Sequence, residues 1–588
     1  MGMVRVGCVV VGCLLAGQAW ASSTCQVKDF GTLSVEMIGG QAVTAVKING
    51  QDARLLVDTG AFFSSMSKAN AQSLGLKLRA APFGFRIGGI GGSTSAQIGI
   101  AQQFTILNTT LKDIEFIVGG TDIGYGLLGA NLLDIADLEL DLADGKVTLF
   151  KPEHCDKWAM AYWTKTGYQV ANTEDSYNQN DRRTFVDVMV NGKKVRALID
   201  SGAHATMLSR DAAERAGLDL NAPGVKVSGT YGIGSKVVKT WIVHVDAFSV
   251  GTETIHNSEM EVLDGSFTNI GTDMLLGADF LLAHRVFIAN SQHKMYFTYN
   301  GGRVFAGAQA PSDTGKADAA TGADGDDTKP RTASDYDLAG EAHLSRGEPK
   351  EAIADLNEAI RMAPDQPAYY VARSRALGAD RQFDAALADL NKALSLDPKN
   401  VDALLARAQW RVRHKDPAGA AIDLTTASSL VPPDSRQSLI IADVYIELGQ
   451  PDAAIPLLDA WIHTHGNDAM LGIALNARCW ARGQLNQQLD DALSDCRKAI
   501  KRDGEKPAYL DSLGLVQLRL GHYDDAIKAY QQGLAVNPHL AWSRYGLGLA
   551  EVRNGQADAG HADMAAARAI NPRIQIMAAK FGLTESGH

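Results

Sequence analysis

The sequence lacks an excess of basic residues, is poor in cysteine and has no long apolar segment. It carries 56 Lys and Arg against 67 Asp and Glu, which argues against a nucleic-acid partner because phosphate binding needs clustered cations. Six cysteines in 588 residues exclude a disulfide-dense mini-scaffold. No apolar run reaches the roughly 18–20 residues of a membrane span. What is present is 46% hydrophobic residues, enough for roughly three to five folded domains.

Residues 1–21 have the pattern of a signal peptide. Arg5 supplies a positive charge, an apolar stretch runs from Val6 to Ala16, and Ala19-Trp20-Ala21 places small residues where a signal peptidase reads. We expect cleavage after Ala21 and export of the chain. An uncleaved short anchor and a lipobox ending at Cys13 remain open as alternatives.

Removal of that segment leaves four cysteines, Cys25, Cys155, Cys479 and Cys496. Four cysteines allow three connectivities. We favour Cys25–Cys155 and Cys479–Cys496 because each pair lies within one predicted domain. In a reducing compartment all four would instead be buried thiols.

Two copies of one module organise the N-terminal half. Asp58-Thr59-Gly60-Ala61 matches Asp200-Ser201-Gly202-Ala203 at an offset of 142, and two further matches follow in the same order, at 89–92 with 232–235 and at 127–130 with 275–278. Alternating apolar runs followed by Asn-Gly turns predict that each copy is mostly β-strand. We place the copies at 28–152 and 182–302, with an inter-lobe connection at 153–181.

The chemistry of each copy lies in its Asp-Thr/Ser-Gly-Ala loop. A carboxylate at the end of an apolar strand is costly to bury, and the following glycine lets the backbone turn back sharply. Two copies packed about a pseudo-twofold axis would bring Asp58 and Asp200 together. Two close carboxyl groups share one proton, so one acts as acid and the other as base toward water.

These motifs resemble those of the pepsin and retropepsin superfamily of aspartic proteases. Each copy is similar to one retropepsin-type lobe, close to the bacterial aspartyl-protease-like proteins. The resemblance implies a two-lobed all-β fold with Asp58 and Asp200 as the catalytic dyad, a peptide or protein substrate, and no metal or cofactor. Together with the signal peptide, it favours the periplasm of a Gram-negative bacterium.

The resemblance also assigns supporting roles to neighbouring residues. It implies that the dyad is supported by Thr59, Gly60, Ser201 and Gly202. It implies two substrate-covering flaps, with residues Gly89, Ile90, Gly91, Tyr231, Gly232, Ile233 and Gly234. The alternatives are a catalytically inactive protein that binds peptides or directs assembly, and lobes that each require a second chain.

The C-terminal third has a 34-residue period. Ala352, Ala386, Ala420 and Ala454 follow this spacing. Small residues at helix crossings with proline at helix ends predict about seven tetratricopeptide repeats over 333–574, and a capping segment at 575–588. Residues 303–332 are polar and acidic, which predicts a disordered linker, with an acidic docking segment as the alternative. We expect the repeats to bind a protein partner in their groove, with scaffolding or dimerisation as the alternative.

Overall fold

A computed structural model describes residues 25–164, 167–176, 181–230, 232, 236–267, 270–305 and 330–585. The predicted signal peptide and most of the predicted linker lie outside these residues. Tyr231, Ile233 and Gly234 of the second predicted flap also lie outside them. The described chain has a β-rich N-terminal unit of two lobes, followed by a helical repeat array.

The first lobe is built from strands and two short helices. Asn49 and Gly50 both have positive φ angles, 51° and 79°, and form the tight turn predicted between the second and third strands. The elements are β1 (Gln26–Ile38), β2 (Gln41–Ile48), β3 (Gln51–Val57), β4 (Ser65–Met66), α1 (Lys68–Ser73), β5 (Lys77–Ala80), β6 (Arg86–Gly89), β7 (Gly92–Ser95), β8 (Gln97–Ile106), β9 (Thr109–Val118), β10 (Gly126–Leu128), α2 (Ala130–Leu133), β11 (Asp137–Asp141) and β12 (Lys146–Glu153).

The second lobe repeats this plan. In both lobes the strand before the Asp loop pairs in parallel with a short central strand, β3 with β10 and β15 with β20. The elements are β13 (Gln169–Asp175), β14 (Thr184–Val190), β15 (Lys193–Ile199), β16 (Met207–Ser209), α3 (Arg210–Arg215), β17 (Lys226–Thr230), β18 (Val238–Val250), β19 (Glu253–Leu263), β20 (Met274–Leu276), α4 (Ala278–Ala283), β21 (His284–Ala289) and β22 (Lys294–Tyr299).

A six-stranded antiparallel sheet joins the two lobes, in the order β1-β12-β11-β21-β22-β13. Its centre is the pairing of β11 with β21, one strand from each lobe. Part of the predicted inter-lobe connection is therefore a strand, because β13 completes this sheet against β22 and also pairs with β14. The polar composition of this segment did not predict a strand.

Two disulfides fasten separate parts of the chain. Cys25 is bonded to Cys155, which ties the beginning of the first lobe to the segment after β12. Cys479 is bonded to Cys496, which joins the two helices of one repeat. These are the two pairings favoured from the sequence.

The repeat array consists of seven antiparallel helix pairs and a final short helix. A ladder of ion pairs repeats along it every 34 residues: Arg373 contacts Asp389 and Asn357, and Arg407 contacts Asp423 and Asn391. The helices are α5 (Ala333–Ser345), α6 (Pro349–Met362), α7 (Pro367–Ala379), α8 (Phe383–Leu396), α9 (Val401–Arg413), α10 (Pro417–Leu430), α11 (Arg436–Leu448), α12 (Pro451–Thr464), α13 (Leu471–Leu485), α14 (Leu489–Asp503), α15 (Pro507–Leu520), α16 (Tyr523–Val536), α17 (Ala541–Arg553), α18 (Ala557–Ile570) and α19 (Ile574–Ala579). Among the described residues, none of the helices is long and apolar enough to cross a membrane.

The array packs against the first lobe at two places. Helix α5 lies against β1 and the turn before β12. Farther along, the buried carboxylate of Asp122 lies 3.3 Å from Nε2 of His465, and its backbone N–H donates to Asp468 at 2.6 Å. Arg436 Nη1 donates to the carbonyl of Asp122 at 3.3 Å. The loop between β9 and β10 is thus held by the array.

Candidate active site

Two matched strands deliver the two aspartates. Strands β3 and β15 end in buried apolar residues, and Asp58 and Asp200 follow them directly. The backbone N–H of Asp58 donates to the carbonyl of Leu128, and that of Asp200 to Leu276, both at 3.0 Å. The short central strands β10 and β20 therefore fix the position of each Asp loop relative to its sheet.

The hydroxyl groups of Thr59 and Ser201 interlock the two loops. Thr59 Oγ1 donates to the carbonyl of Ile199 at 2.8 Å and accepts from the N–H of Ser201 at 3.0 Å. Ser201 Oγ donates to the carbonyl of Val57 at 2.7 Å and accepts from the N–H of Thr59 at 3.1 Å. All four bonds cross between the lobes and are buried, so each loop is held by the other.

Glycine follows each hydroxyl residue because the opposite carboxyl group occupies the space of a side chain. A Cβ atom on Gly60 would lie 2.3 Å from Cγ of Asp200, and one on Gly202 would lie 2.4 Å from Cγ of Asp58. No real Cβ contact is that short. The structure thus brings Asp58, Asp200 and both glycines into one centre.

The two carboxyl groups hydrogen-bond to each other and share a buried environment. Burial and the charge of Asp200 raise the pKa of Asp58 well above its usual value, against the lowering effect of the N–H groups of Ala61 and Gly60. Burial also raises the pKa of Asp200, but the N–H groups of Ala203 and Gly202 oppose it. Two such close carboxyl groups do not both ionise readily, so the pair shares one proton.

Among the described residues, a buried arginine near the dyad is present in the second lobe only. Arg183 forms a two-point ion pair with Asp181, at 2.8 and 2.7 Å. Burial raises the pKa of Asp200, and the positive charge of Arg183 opposes this rise, as the N–H groups of Ala203 and Gly202 do more strongly. The equivalent position of the first lobe, 142 residues earlier, is Gln41, whose amide donates to the carbonyl of Gly202 at 3.0 Å. The sequence analysis missed Arg183, although the 142-residue offset would have aligned it with Gln41.

The first flap touches the second. It is the hairpin of β6 and β7, in which Gly89 pairs with Gly92 and the tip holds Ile90 and Gly91. A Cβ atom on Gly232 would lie 3.5 Å from Cβ of Ile90, so the two flaps touch. Oγ1 of Thr121 donates to the carbonyl of Gly232 at 3.1 Å, which ties the second flap to the loop that the array holds.

A polar support lies beneath each Asp loop, and its chemistry differs between the lobes. Ser64 Oγ accepts from the N–H of Gly129 at 3.0 Å and donates to Asn131 at 2.9 Å. In the second lobe, Thr206 Oγ1 accepts from Gly277 at 3.0 Å and donates to Asp279 at 2.6 Å. Burial raises the pKa of Asp279 to about 6 although Thr206 and the N–H of Phe280 hydrogen-bond to its carboxylate. Neither support was predicted from the sequence.

The described part of the chain contains no group of three or more His, Cys, Asp and Glu side chains placed to hold a metal ion. The chemistry that the site offers is proton transfer between two adjacent carboxyl groups.

Family comparisons match both parts of the chain. Residues 186–280 match the family "Aspartyl protease", and residues 44–134 match "gag-polyprotein putative aspartyl protease". Residues 336–366 and 371–435 match tetratricopeptide repeat families, and residues 514–555 match a TPR repeat family. The predicted resemblance and fold class are thereby confirmed.

Two curated fungal proteins share one segment with the chain. The UBA domain-containing protein Mud1 of Schizosaccharomyces pombe is 36% identical over 108 residues, which are 18% of this chain and 30% of Mud1. DNA damage-inducible protein 1 of Neurospora crassa is 36% identical over 109 residues, 18% of this chain and 22% of that protein. The chain spans less than a third of either relative.

Solved structures resemble the repeat array. YrrB, described as a TPR protein with an unusual peptide-binding site, is 19% identical and matches 32% of this chain and 95% of its own, with a TM-score of 0.28. A tetratricopeptide repeat protein from Parabacteroides merdae is 15% identical over 43% of this chain and 98% of its own, with a TM-score of 0.33. The family matches, and not these structures, show that the chain carries two aspartyl-protease domains followed by tetratricopeptide repeats.

Proposed function

We propose that this chain of two aspartyl-protease domains and a repeat array is an aspartic endopeptidase whose repeats bind protein substrates or partners. The observation that carries the proposal is the interlocked dyad of Asp58 and Asp200. Both carboxyl groups, both hydroxyls and both glycines are contributed by this one chain. The dyad is complete without a second copy of either lobe.

In the proposed reaction, a water molecule between the carboxyl groups attacks the carbonyl carbon of a peptide bond. Asp200, whose raised pKa is opposed by the N–H groups of Ala203 and Gly202 and by the charge of Arg183, accepts the proton of that water. Asp58 gives its own proton to the carbonyl oxygen, and a tetrahedral diol results. The C–N bond then breaks as the leaving nitrogen receives the proton that Asp200 holds, and the second diol hydroxyl returns its proton to Asp58.

The flaps would cover the substrate during this reaction. Ile90 of the first flap packs against an apolar cluster of the second lobe, whose members include Phe185 and Leu275. A peptide must displace this contact to reach the dyad, and the same apolar surface would then exclude water from around it. A cleavage assay would also measure which substrate side chains the proposed protease prefers at the cleavage site.

Export to the periplasm is also part of the proposal. The signal-like residues 1–21 support it. The two disulfides also support it, because such bonds persist in oxidising compartments.

A peptide-library cleavage assay over pH 3–8 tests the proposed activity. We expect cleavage by the wild-type chain, and a loss of more than about 1,000-fold for Asp58→Asn and for Asp200→Asn, because each carboxyl group transfers a proton. The matched control is Asp211→Asn, an exposed carboxylate on α3, which should cleave normally. A folded wild-type chain that binds peptides and cleaves none would support the inactive peptide-binding alternative instead.

A further inference from the structure

One turn of the repeat array, residues 465–470 between α12 and α13, packs into the protease unit. Asp468 and Ala469 are buried there, although turns between helices usually face solvent. The carboxylate of Asp468 accepts from the N–H of Asp122 at 2.6 Å. The N–H of Ala469 donates to Oγ1 of Thr121 at 3.3 Å. The turn therefore holds two consecutive residues of the loop between β9 and β10.

The turn is fixed on the array side as well. The ring of His465 stacks on that of Trp461, with the ring centroids 4.2 Å apart. Arg502 donates to the carbonyl oxygen of Asp468. These contacts come from two different helices, α12 and α14, so the position of the turn follows the position of the array.

A single hydroxyl group joins the array to the second flap. Oγ1 of Thr121 accepts from the N–H of Ala469 and donates to the carbonyl of Gly232 at 3.1 Å. Gly232 lies where the two flaps meet, since a Cβ atom on it would be 3.5 Å from Cβ of Ile90. The array, the loop and both flaps thus form one continuous series of contacts.

A second branch runs from the same loop to the dyad. The hydroxyl of Tyr125 donates to Oε1 of Gln41 at 2.9 Å, and the amide of Gln41 donates to the carbonyl of Gly202 at 3.0 Å. A Cβ atom on Gly202 would lie 2.4 Å from Cγ of Asp58, so a shift of this backbone would press on the opposite carboxyl group. Both branches end on backbone carbonyl groups, and they place the flap and the Asp loop without engaging the carboxyl groups of the dyad.

We propose that the turn 465–470 of the repeat array is an activating element of the protease site, and that Thr121 and Tyr125 are the positioning residues through which it acts on the second flap and the second Asp loop. The physical reason is that a misplacement of about 1 Å can cost about 100-fold in rate. This inference rests on the proposed endopeptidase function, whose regulation it concerns. The array then does more than bind proteins, because the dyad is fully active only with the turn in place.

The first test changes the hydroxyl group of Thr121 in the full chain. Thr121→Val removes both of its hydrogen bonds and leaves the buried N–H of Ala469 without its acceptor, so kcat/KM for peptide cleavage should fall about tenfold. Thr121→Ser keeps a hydroxyl group and should stay within about twofold of the wild type. The matched control is Thr109→Val, at the exposed first residue of β9, which should cleave normally.

Hydrogen exchange followed by mass spectrometry reports on the flap without any need for cleavage. In Thr121→Val the amides of β17 (Lys226–Thr230) should exchange about tenfold faster, whereas those of β3 (Gln51–Val57) should keep their wild-type rates. Faster exchange in both strands would show general loss of folding and would overturn the proposal. Unchanged exchange in β17 would overturn it whether or not the chain cleaves peptides, whereas absence of cleavage by the wild type contradicts the endopeptidase function itself.

The second test starts from the array. Asp468→Ala removes the acceptor of the Asp122 N–H and should lower kcat/KM about tenfold, whereas Asn467→Ala, an exposed change in the same turn, should not. Combined with Thr121→Val, it should cost little more than either change alone, because both act through one contact. Additive losses would show that the array and the flap act independently and would overturn the proposal. Faster cleavage by either single variant would do so too, since the contact would then hold the flaps shut.

The branch through Tyr125 is tested separately. Tyr125→Phe keeps the ring and removes the hydroxyl group, so kcat/KM should fall about threefold. The exchange of β17 should stay at the wild-type rate, because this branch ends on Gly202 and not on the flap. Unchanged cleavage by Tyr125→Phe would overturn its assignment as a positioning residue.

Discussion

The two lobes share one frame but differ in the charged groups placed around it. The hydroxyls of Thr59 and Ser201 make the same bonds in opposite directions, and both glycines face a carboxyl group at nearly equal distances. Around this frame the second lobe has an ionic or acidic group where the first has an amide. Arg183 corresponds to Gln41, at the 142-residue offset of the Asp loops.

This difference shows which residues of the two duplicated lobes are constrained by contact with the other lobe. A hydroxyl or glycine in one lobe is fixed by its counterpart in the other, so neither can change alone. Gln41 and Arg183 each meet different neighbours, and so do Asn131 and Asp279 beneath the loops. The hydrogen-bonded frame of the site is symmetric, whereas the titratable groups around it differ between the lobes.

The largest effect is expected from substitutions that test the shared frame. Gly60→Ala and Gly202→Ala should each lower kcat/KM for peptide cleavage by more than about 100-fold, because the new methyl group must push the opposite carboxyl group away. The matched control is Gly265→Ala, where a Cβ atom meets nothing closer than 3.8 Å. Loss in only one of the two loop variants would show that the lobes do not contribute equally.

The contact with the array distinguishes the first lobe in another way. Asp122→Asn should lower the stability of the docked state by about 3 kcal/mol, because it leaves His465 without its buried partner. Calorimetry should then show the N-terminal unit and the array melting separately. The exposed neighbour Asp113→Asn is the control, and an unchanged melting profile for Asp122→Asn would contradict the contact.

The same contact should depend on pH. Burial alone would lower the pKa of His465, but the hydrogen bonds that the imidazole donates to Asp122 and to the carbonyl of Trp461, with the charges of Asp122 and Asp468, outweigh it and raise the pKa. A raised histidine pKa gives stability that is complete below about pH 6.5 and is lost as the pH rises through the higher folded value. Asp122→Asn should therefore cost more at pH 5.5 than at pH 9.

A smaller effect should follow from the supports beneath the Asp loops. The pKa of Asp279 is about 6 in the folded chain, above its usual 3.8, so folding stability falls as the pH rises from about 4 to 6. Asp279→Asn should remove up to about 3 kcal/mol of this pH dependence, and Asn131→Asp should add a similar dependence to the first lobe. Urea unfolding at pH 4 and pH 7 measures both, and parallel curves for wild type and variants would contradict the assignment.

The smallest effect concerns the asymmetry of the dyad. The double change Asp181→Asn with Arg183→Gln removes the whole buried ion pair and leaves no charge unpaired; because only the arginine of that pair acts on the pKa of Asp200, which is already raised, this pKa should rise slightly further. The acidic limb of the pH–activity profile should shift upward by about one pH unit or less. The exposed Arg182→Gln serves as the control, and an unmoved limb in the double variant would exclude Arg183 as the source of the asymmetry.

The internal duplication made the centre of the site predictable, and the regions that depend on long-range packing were not. The paired Asp loops identified Asp58 and Asp200 because each motif repeats at a fixed offset. The role of β13 depends on the free edges of β14 and β22, which no local pattern reports. Leu583 is likewise buried beside residues of three different repeats, among them Trp480, Leu515 and Trp542, and no local pattern reports that packing.

The interlocked hydroxyls also determine when during folding the centre can form. Thr59 finds its acceptor on Ile199, 140 residues later in the chain, and β11 finds its neighbour β21 at a similar separation. Contacts between such distant residues form slowly, because a long loop must close before any bond compensates its lost entropy. The two aspartates therefore meet only after both lobes have folded, and an unfolded or half-folded chain carries no assembled dyad.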